Sequence, residues 1–183
     1  MRRVDKKSIR KRQLLAAAEK IKLLVLDVDG VLTDGSIILD DQGNELKAFH
    51  VRDGHGIKMV MRAGIQVALI TGRKSEVVRR RALELGITDV FQKCLDKKQA
   101  YDRLAKKYAL EDAEIAYIGD DVIDIPVLRK SGFPVAVADA DETTKRFALF
   151  VTKKGGGKGA VREFCDFLLK AKGLWEDAVH GDA

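Results

Sequence analysis

Proline and cysteine are scarce in this chain of 183 residues, which has two of each, one tryptophan and three histidines. Cys94 and Cys165 lie far apart and in no metal-ligand spacing, which argues against a disulfide framework or a zinc cluster. Both are read as reduced thiols. No apolar run approaches the ~20 residues that a membrane-spanning helix needs. The N-terminus has neither the apolar core nor the small-residue cleavage site of a secretory signal, so a cytoplasmic protein is expected. Charged residues at 34% and apolar residues at 46% exclude a disordered chain, and the length suits one domain with a real core. Internal repeats and low-complexity linkers are also missing.

Positive charge is abundant but confined. Residues 1–20 carry eight basic and two acidic side chains, which accounts for the whole net charge of +6. The rest of the chain is formally neutral, so the basic pI belongs to a leader. Few aromatics accompany it. A solvated helix or a subunit contact is expected there in preference to nucleic-acid binding. The expected division is a basic leader over 1–20, one domain over 21–172 and a tail over 173–183.

The decisive segment is Leu23-Leu24-Val25-Leu26-Asp27-Val28-Asp29-Gly30. An apolar strand ends in two carboxylates one residue apart, and in extended chain side chains i and i+2 share a face. Asp27 and Asp29 therefore point together, with Val28 turned away, and need a cation, a proton or a hydrogen-bond network to compensate them.

Strands and helices alternate beyond residue 20. Strands are expected at 21–26, 66–70, 89–91, 115–118, 134–137 and 150–151. Helices are expected at 54–63, 75–85, 98–108, 123–130, 141–147 and 161–171. A β-hairpin is expected with arms 36–39 and 45–51 about Asp40-Asp41-Gln42-Gly43-Asn44. Such alternation implies an α/β fold with a parallel, Rossmann-like sheet and helices on both faces, in which ligands bind beyond the carboxyl ends of the strands.

Chemical residues do recur at those ends. Thr71-Gly72-Arg73 follows the second long strand, Lys97 opens a helix after the short third strand, and Gly119-Asp120-Asp121 with Asp124 follows the fourth. The set suits phosphoryl transfer. A carboxylate approaching a phosphate monoester meets another anion, and a hard divalent cation such as Mg²⁺ on oxygen ligands reduces that repulsion. Asp27 and Asp120 can supply carboxylates and Asp29 its backbone carbonyl. Thr71 and Lys97 can hold phosphoryl oxygens, and the Asp29 carboxyl can give the leaving group its proton.

In this order the residues resemble the four motifs of the haloacid dehalogenase-like phosphatase superfamily. The resemblance implies that Asp27 is the nucleophile and Asp29 the general acid/base, with an aspartyl-phosphate intermediate. It implies that Asp121 or Asp124 steadies the metal site and Lys97. Three further stretches carry a closer resemblance: Phe49-His50-Val51-Arg52-Asp53-Gly54, Ile70-Thr71-Gly72-Arg73 and Gly159-Ala160-Val161-Arg162-Glu163. Together they are similar to the 3-deoxy-D-manno-octulosonate 8-phosphate phosphatase family over residues 20–170, whose relatives act on nine-carbon sialic-acid-type 9-phosphates.

This closer resemblance implies a capless enzyme of lipopolysaccharide biosynthesis. Too few residues separate the acid strand from the helix near Gly54 to form a cap domain. It also implies a homotetramer whose hairpins form a shared barrel. Arg52, Asp53, Gly54 and Lys58 become candidates for the sugar-acid end, with Arg73, Arg81 and Lys97 for the same anionic substrate. His50 and Val51 adjoin them.

Gly155-Gly156-Gly157-Lys158-Gly159 lacks the spacing and the Lys-Ser/Thr pair of a nucleotide phosphate loop and is read as flexible chain before a helix. In the resembling family this region reaches an adjacent active site, which makes Lys158 and Arg162 further candidates. Trp175 is expected in a mobile tail.

Competing assignments are a phosphotransfer receiver module, a non-catalytic regulator of the same fold, and a nucleic-acid binder working through residues 1–20. A receiver carries its acidic pair at the first strand and its phosphorylated Asp at a later one, whereas here the second acidic cluster follows the lysine. A regulator would have lost an essential residue, yet Asp27, Asp29, Thr71, Lys97 and Asp120 are all present.

Overall fold

A computed structural model describes residues 6–180, with side chains described from residue 8 onward. The first five residues of the basic leader and the last three of the tail lie outside that range. Helix α1 (Lys6–Lys20) precedes strand β1 (Leu23–Leu26). The hairpin strands β2 (Ile38–Leu39) and β3 (Glu45–Leu46) follow, then α2 (Val51–Arg62) and β4 (Gln66–Ile70). Next come α3 (Glu76–Leu85), β5 (Asp89–Phe91), α4 (Lys97–Tyr108) and β6 (Ile115–Gly119). The chain closes with α5 (Ile125–Leu128), β7 (Phe133–Ala136), α6 (Glu142–Lys145), β8 (Phe150–Val151), α7 (Ala160–Ala171) and α8 (Trp175–His180).

Six strands form one parallel sheet in the order β5-β4-β1-β6-β7-β8, and the hairpin is a separate antiparallel pair. β1 lies between β4 and β6, with Leu23 opposite Gln66 on one side and Ile115 on the other. Its alternation sorts the core. Leu23 and Val25 face a layer that holds Ala100, Tyr101 and Leu104 of α4 and Val127 and Leu128 of α5. Leu24 and Leu26 face the opposite layer, which is built from α2, α3 and α7 together with Ala18 of α1. Fully burying each such side chain contributes ~1.5–3 kcal/mol, so the central strand is held firmly from both faces.

Local boundaries follow the capping chemistry. The Ser75 side chain accepts from the Val78 N–H and starts α3, and Gly86 at φ 84° ends it. α2 starts at Val51 rather than near Gly54 because His50 caps it, its side chain accepting from the Arg52 N–H. Val51 therefore belongs to the helix and not to the hairpin arm.

The helix expected over 123–130 is a 3₁₀ turn (Val122–Asp124) followed by the short α5, which has Pro126 at its start. The helix expected over 141–147 is one turn, α6. The segment around Trp175, expected to be mobile, is helical: Ala178 is buried, and its carbonyl accepts from the Arg62 Nη2 of α2 at 3.5 Å. Both cysteines are free thiols. Among the described residues no helix is long and apolar enough to cross a membrane.

Candidate active site

The acid strand ends as its alternation demands. The Asp27 N–H still donates to the Ile118 carbonyl at 3.0 Å, so the chain stays extended past β1, while Val28 turns fully into the core. The Val28 carbonyl then collects the N–H groups of Val31, Leu32 and Thr33 at 2.9–3.2 Å, which folds the chain back sharply. Gly30 sits in this turn at φ 87°, and a Cβ there would stand 2.0 Å from Asp120 Oδ2. Both the backbone sign and the close approach require glycine.

Asp27 continues the face of Leu23 and Val25, and so points at the start of α4. Lys97 Nζ lies 3.0 Å from Asp27 Oδ2 and 2.7 Å from Asp124 Oδ1, with all three side chains buried. The Tyr117 hydroxyl donates to the same Asp124 oxygen at 2.6 Å. Asp124 Oδ2 accepts from the N–H groups of Asp120 and Asp121 at 3.0 and 3.3 Å. Burial alone would lower the Lys97 ammonium, but the facing carboxylates of Asp27 and Asp124 outweigh it and raise its pKa, so this lysine remains a cation.

Asp27, Asp120 and Asp124 bring carboxylate oxygens within 4.8 Å of one another. Asp124 has both oxygens occupied by donors, which leaves Asp27 and Asp120 to face a cation. Asp120 Oδ1 is buried and without a hydrogen-bond partner. Burial, then the charge of Asp124, pushes the Asp120 carboxyl up to about 7, and the same two causes push Asp27 well above the usual carboxylate range despite Lys97. Crowded, desolvated carboxylates with a spare oxygen fit a hard divalent cation, which would supply the missing positive charge.

Asp29 turns to a second cation. Lys47, on the chain leaving β3, pairs with Asp29 Oδ1 and lies 3.4 Å from Glu45. Only 1% of the Lys47 side chain is exposed, so it is a component of the site and not a solvated hairpin residue. Arg73 Nη2 holds Glu45 at 2.8 Å, and its Nε lies 4.0 Å from Asp29 Oδ2. The Thr71 hydroxyl is buried, stands 3.5 Å from Asp29 Oδ2 and accepts from the Arg73 N–H at 3.3 Å.

The haloacid dehalogenase-like hydrolase family profile matches residues 83–164. The 3-deoxy-D-manno-octulosonate 8-phosphate phosphatase of Escherichia coli (strain K12) is 50% identical over 165 residues, covering 90% of this chain and 88% of the relative. The crystal structure of the phosphatase of that name from Yersinia pestis superposes with a TM-score of 0.88 at 46% identity, covering 90% of this chain and 89% of that one. The corresponding Moraxella catarrhalis phosphatase, in complex with magnesium ion, phosphate ion and a KDO molecule, gives a TM-score of 0.90 at 43% identity, covering 92% and 97%. The chain belongs to the 3-deoxy-D-manno-octulosonate 8-phosphate phosphatase family.

The family's expected sugar-acid residues fall into separate environments. Arg73 alone among them shares the Asp29 network. Val51 and Lys58 are exposed on α2. Arg81 is paired with Glu84 at 2.8 Å and lies over the Phe49 ring, 5.8 Å from its centroid. A Cβ on the buried Gly54 would come 2.3 Å from Arg81 Nη2, so that glycine makes room for the guanidinium. Arg52 is exposed beside the His50 cap.

Asp53 is buried, and its oxygens accept from the N–H groups of Gly159 and Arg162 at 3.2 and 2.7 Å. It anchors the start of α7 and points away from solvent. Arg162 itself pairs with Asp166 at 2.5 Å, and Lys158 is exposed. Asp121 is exposed and accepts from the Val122 N–H at 2.7 Å, so it caps the 3₁₀ turn while Asp124 steadies Lys97.

Two members of the site were given no role from the sequence. Lys47 reads as a hairpin cation and Tyr117 as a core strand residue. Counting two residues on from Glu45 along the hairpin would have placed Lys47 on the face that looks at the site.

Proposed function

We propose that this protein hydrolyses 3-deoxy-D-manno-octulosonate 8-phosphate with Mg²⁺ bound between Asp27, the Asp29 backbone carbonyl and Asp120, through an aspartyl-phosphate. The observation that carries this is the buried line Asp27–Lys97–Asp124 beside the unpartnered oxygen of Asp120. The Moraxella relative's magnesium, phosphate and KDO molecule support it. Bound Mg²⁺ supplies the positive charge that lets two anionic groups meet.

The Asp27 carboxylate attacks phosphorus, and the bond to the sugar oxygen breaks. Lys97 and the Thr71 hydroxyl hold the equatorial oxygens as charge shifts onto them. Asp29 gives its proton to the leaving alkoxide, then takes one from the water that attacks phosphorus and frees Asp27. Arg73, beside Asp29, is suited to the substrate's carboxylate.

The hairpin exposes Ile38, Leu39 and Leu46, and Val51 lies just beyond it, all close in sequence to the site. An isolated two-stranded pair with an apolar surface is marginal in water, so we assign it to contacts among four copies of the chain. Free thiols accord with a cytoplasmic setting.

Phosphate release should be measured from the eight-carbon 8-phosphate, a nine-carbon 9-phosphate and simple sugar phosphates, before and after chelation. Preference for the eight-carbon substrate and loss of turnover on chelation are expected. Preference for the nine-carbon substrate would move the assignment to the alternative sugar acid. Turnover by Asp27→Asn would remove the nucleophile assignment.

A further inference from the structure

We propose that the glycine-rich strap 155–157 is a positioning element for the metal site: its bare backbone sets the turn that carries Asp29 and Gly30. The strap was expected to be flexible, and its contacts give the opposite picture. A Cβ on Gly156 would stand 1.7 Å from the Gly30 carbonyl oxygen and 2.9 Å from that of Thr33. Gly157, at φ 61°, would place a Cβ 2.6 Å from the Asp34 nitrogen and from the Thr33 carbonyl carbon. The Gly157 N–H donates to the Val31 carbonyl at 3.0 Å. Two stretches of backbone therefore touch with no side chain between them, and only glycine permits that.

The strap is itself fixed from behind by carboxylates that the reaction does not use. Asp139, in the loop after β7, accepts from the Gly156 N–H at 2.8 Å. Glu163 accepts from the N–H groups of Lys153 and Lys154 at 3.0–3.1 Å, and Asp53 from that of Gly159 at 3.2 Å. The Ala138 N–H donates to the Lys154 carbonyl at 3.2 Å, tying the loop after β7 to the same segment.

On its other side the acid turn meets Asp120, since the space a Gly30 Cβ would need is filled by that carboxylate. The turn is thus clamped between Asp120 and the strap. A backbone carbonyl can serve as a metal ligand only if its peptide plane is fixed, and the strap packs on the next plane along, Gly30–Val31, which limits rotation of the Asp29–Gly30 plane before it. Gly156, Gly157 and Asp139 are positioning residues that act through the backbone of Gly30 to Asp34.

This rests on the Mg²⁺ assignment above, and calorimetry of Mg²⁺ binding to the full chain without substrate tests the two separately. No Mg²⁺ binding by the parent would overturn the metal assignment itself. With binding established, Gly156→Ala should weaken it at least about tenfold while unfolding cooperatively. Asp139→Ala should weaken it about threefold, and Asp139→Asn, which keeps an acceptor oxygen, should restore it. Gly64→Ala is the control: Gly64 has φ 84° and open space around its Cβ position, so it costs stability without touching the turn.

A folded Gly156→Ala that binds Mg²⁺ within about twofold of the parent would overturn the proposal. If that variant does not fold, the Asp139 pair decides: parental affinity in Asp139→Ala overturns the proposal, and weakening that Asp139→Asn repairs supports it.

Discussion

Tyr117 donates its hydroxyl hydrogen to Asp124 Oδ1 at 2.6 Å, on the same oxygen that receives Lys97 at 2.7 Å. The strand that brings Asp120 to the site thus also braces the cation that faces Asp27. Tyr117→Phe removes one donor from a buried carboxylate, which should cost about 1–3 kcal/mol in denaturant unfolding. Turnover should fall by about tenfold as Lys97 loses its brace, with a smaller change in KM. Unchanged stability and turnover would show that Asp124 needs no fourth donor.

Asp120→Asn should bind no Mg²⁺ and hydrolyse nothing, yet unfold at a higher temperature than the metal-free parent at neutral pH. The sign follows from the raised carboxyl, which burial holds up at about 7. Between the ordinary carboxylate range and about 7 the folded parent keeps this proton while the unfolded chain has lost it, so the folded state loses stability as pH rises through that window. The margin of the variant over the parent should be small near the ordinary carboxylate pKa, grow as pH rises towards about 7, and level off above it. Thermal scans of both proteins in chelator across the range check this.

The same proton competes with the metal. Mg²⁺ affinity of the parent should rise as pH passes through about 7 and then level, because the Asp120 carboxyl must lose its proton to act as a ligand. Calorimetry at several pH values, in buffers of different ionisation enthalpy, would show proton release that fades above that point.

Lys47→Met tests the cation that sequence reading passed over. Asp29 is partly exposed and can recover water, so the stability change should stay within about 1 kcal/mol. The hairpin would lose its tie to the acid turn, and turnover should drop about tenfold, most with poor leaving groups. Equal losses for good and poor leaving groups would separate Lys47 from proton delivery.

Leu39→Glu should lower the mass seen by light scattering, because it places charge on the exposed hairpin face. A parent that is already monomeric would end the assignment of that face to contacts between copies.

The acid strand was legible because its apolar run ends in two acids on one face, Thr71 and Asp120 because they stand at strand ends, and Lys97 because it opens the helix after a strand. Short elements were less legible. His50 moved the start of α2 forward by capping it, and Pro126 with a 3₁₀ turn shortened the helix after Asp124. The glycine run misled for a different reason: composition says that glycine frees a chain, whereas here it permits a contact. Asp53 sits in a segment assigned to substrate, but its hydrogen bonds to α7 depend on residues more than a hundred positions away. No local pattern could announce that pairing.

The central place of β1 has a consequence for how the protein is made. Leu23–Leu26 is synthesised before both of its partners, Gln66–Leu69 and Ile115–Ile118. At about 5–20 residues per second, the second partner is synthesised roughly 5 to 20 seconds after the first strand. Throughout that interval the most apolar strand of the nascent chain has an open edge. The segment that carries the nucleophile is therefore the first part of the sheet to be synthesised and keeps one edge open until β6 is made, and that edge is where a chaperone would be expected to bind.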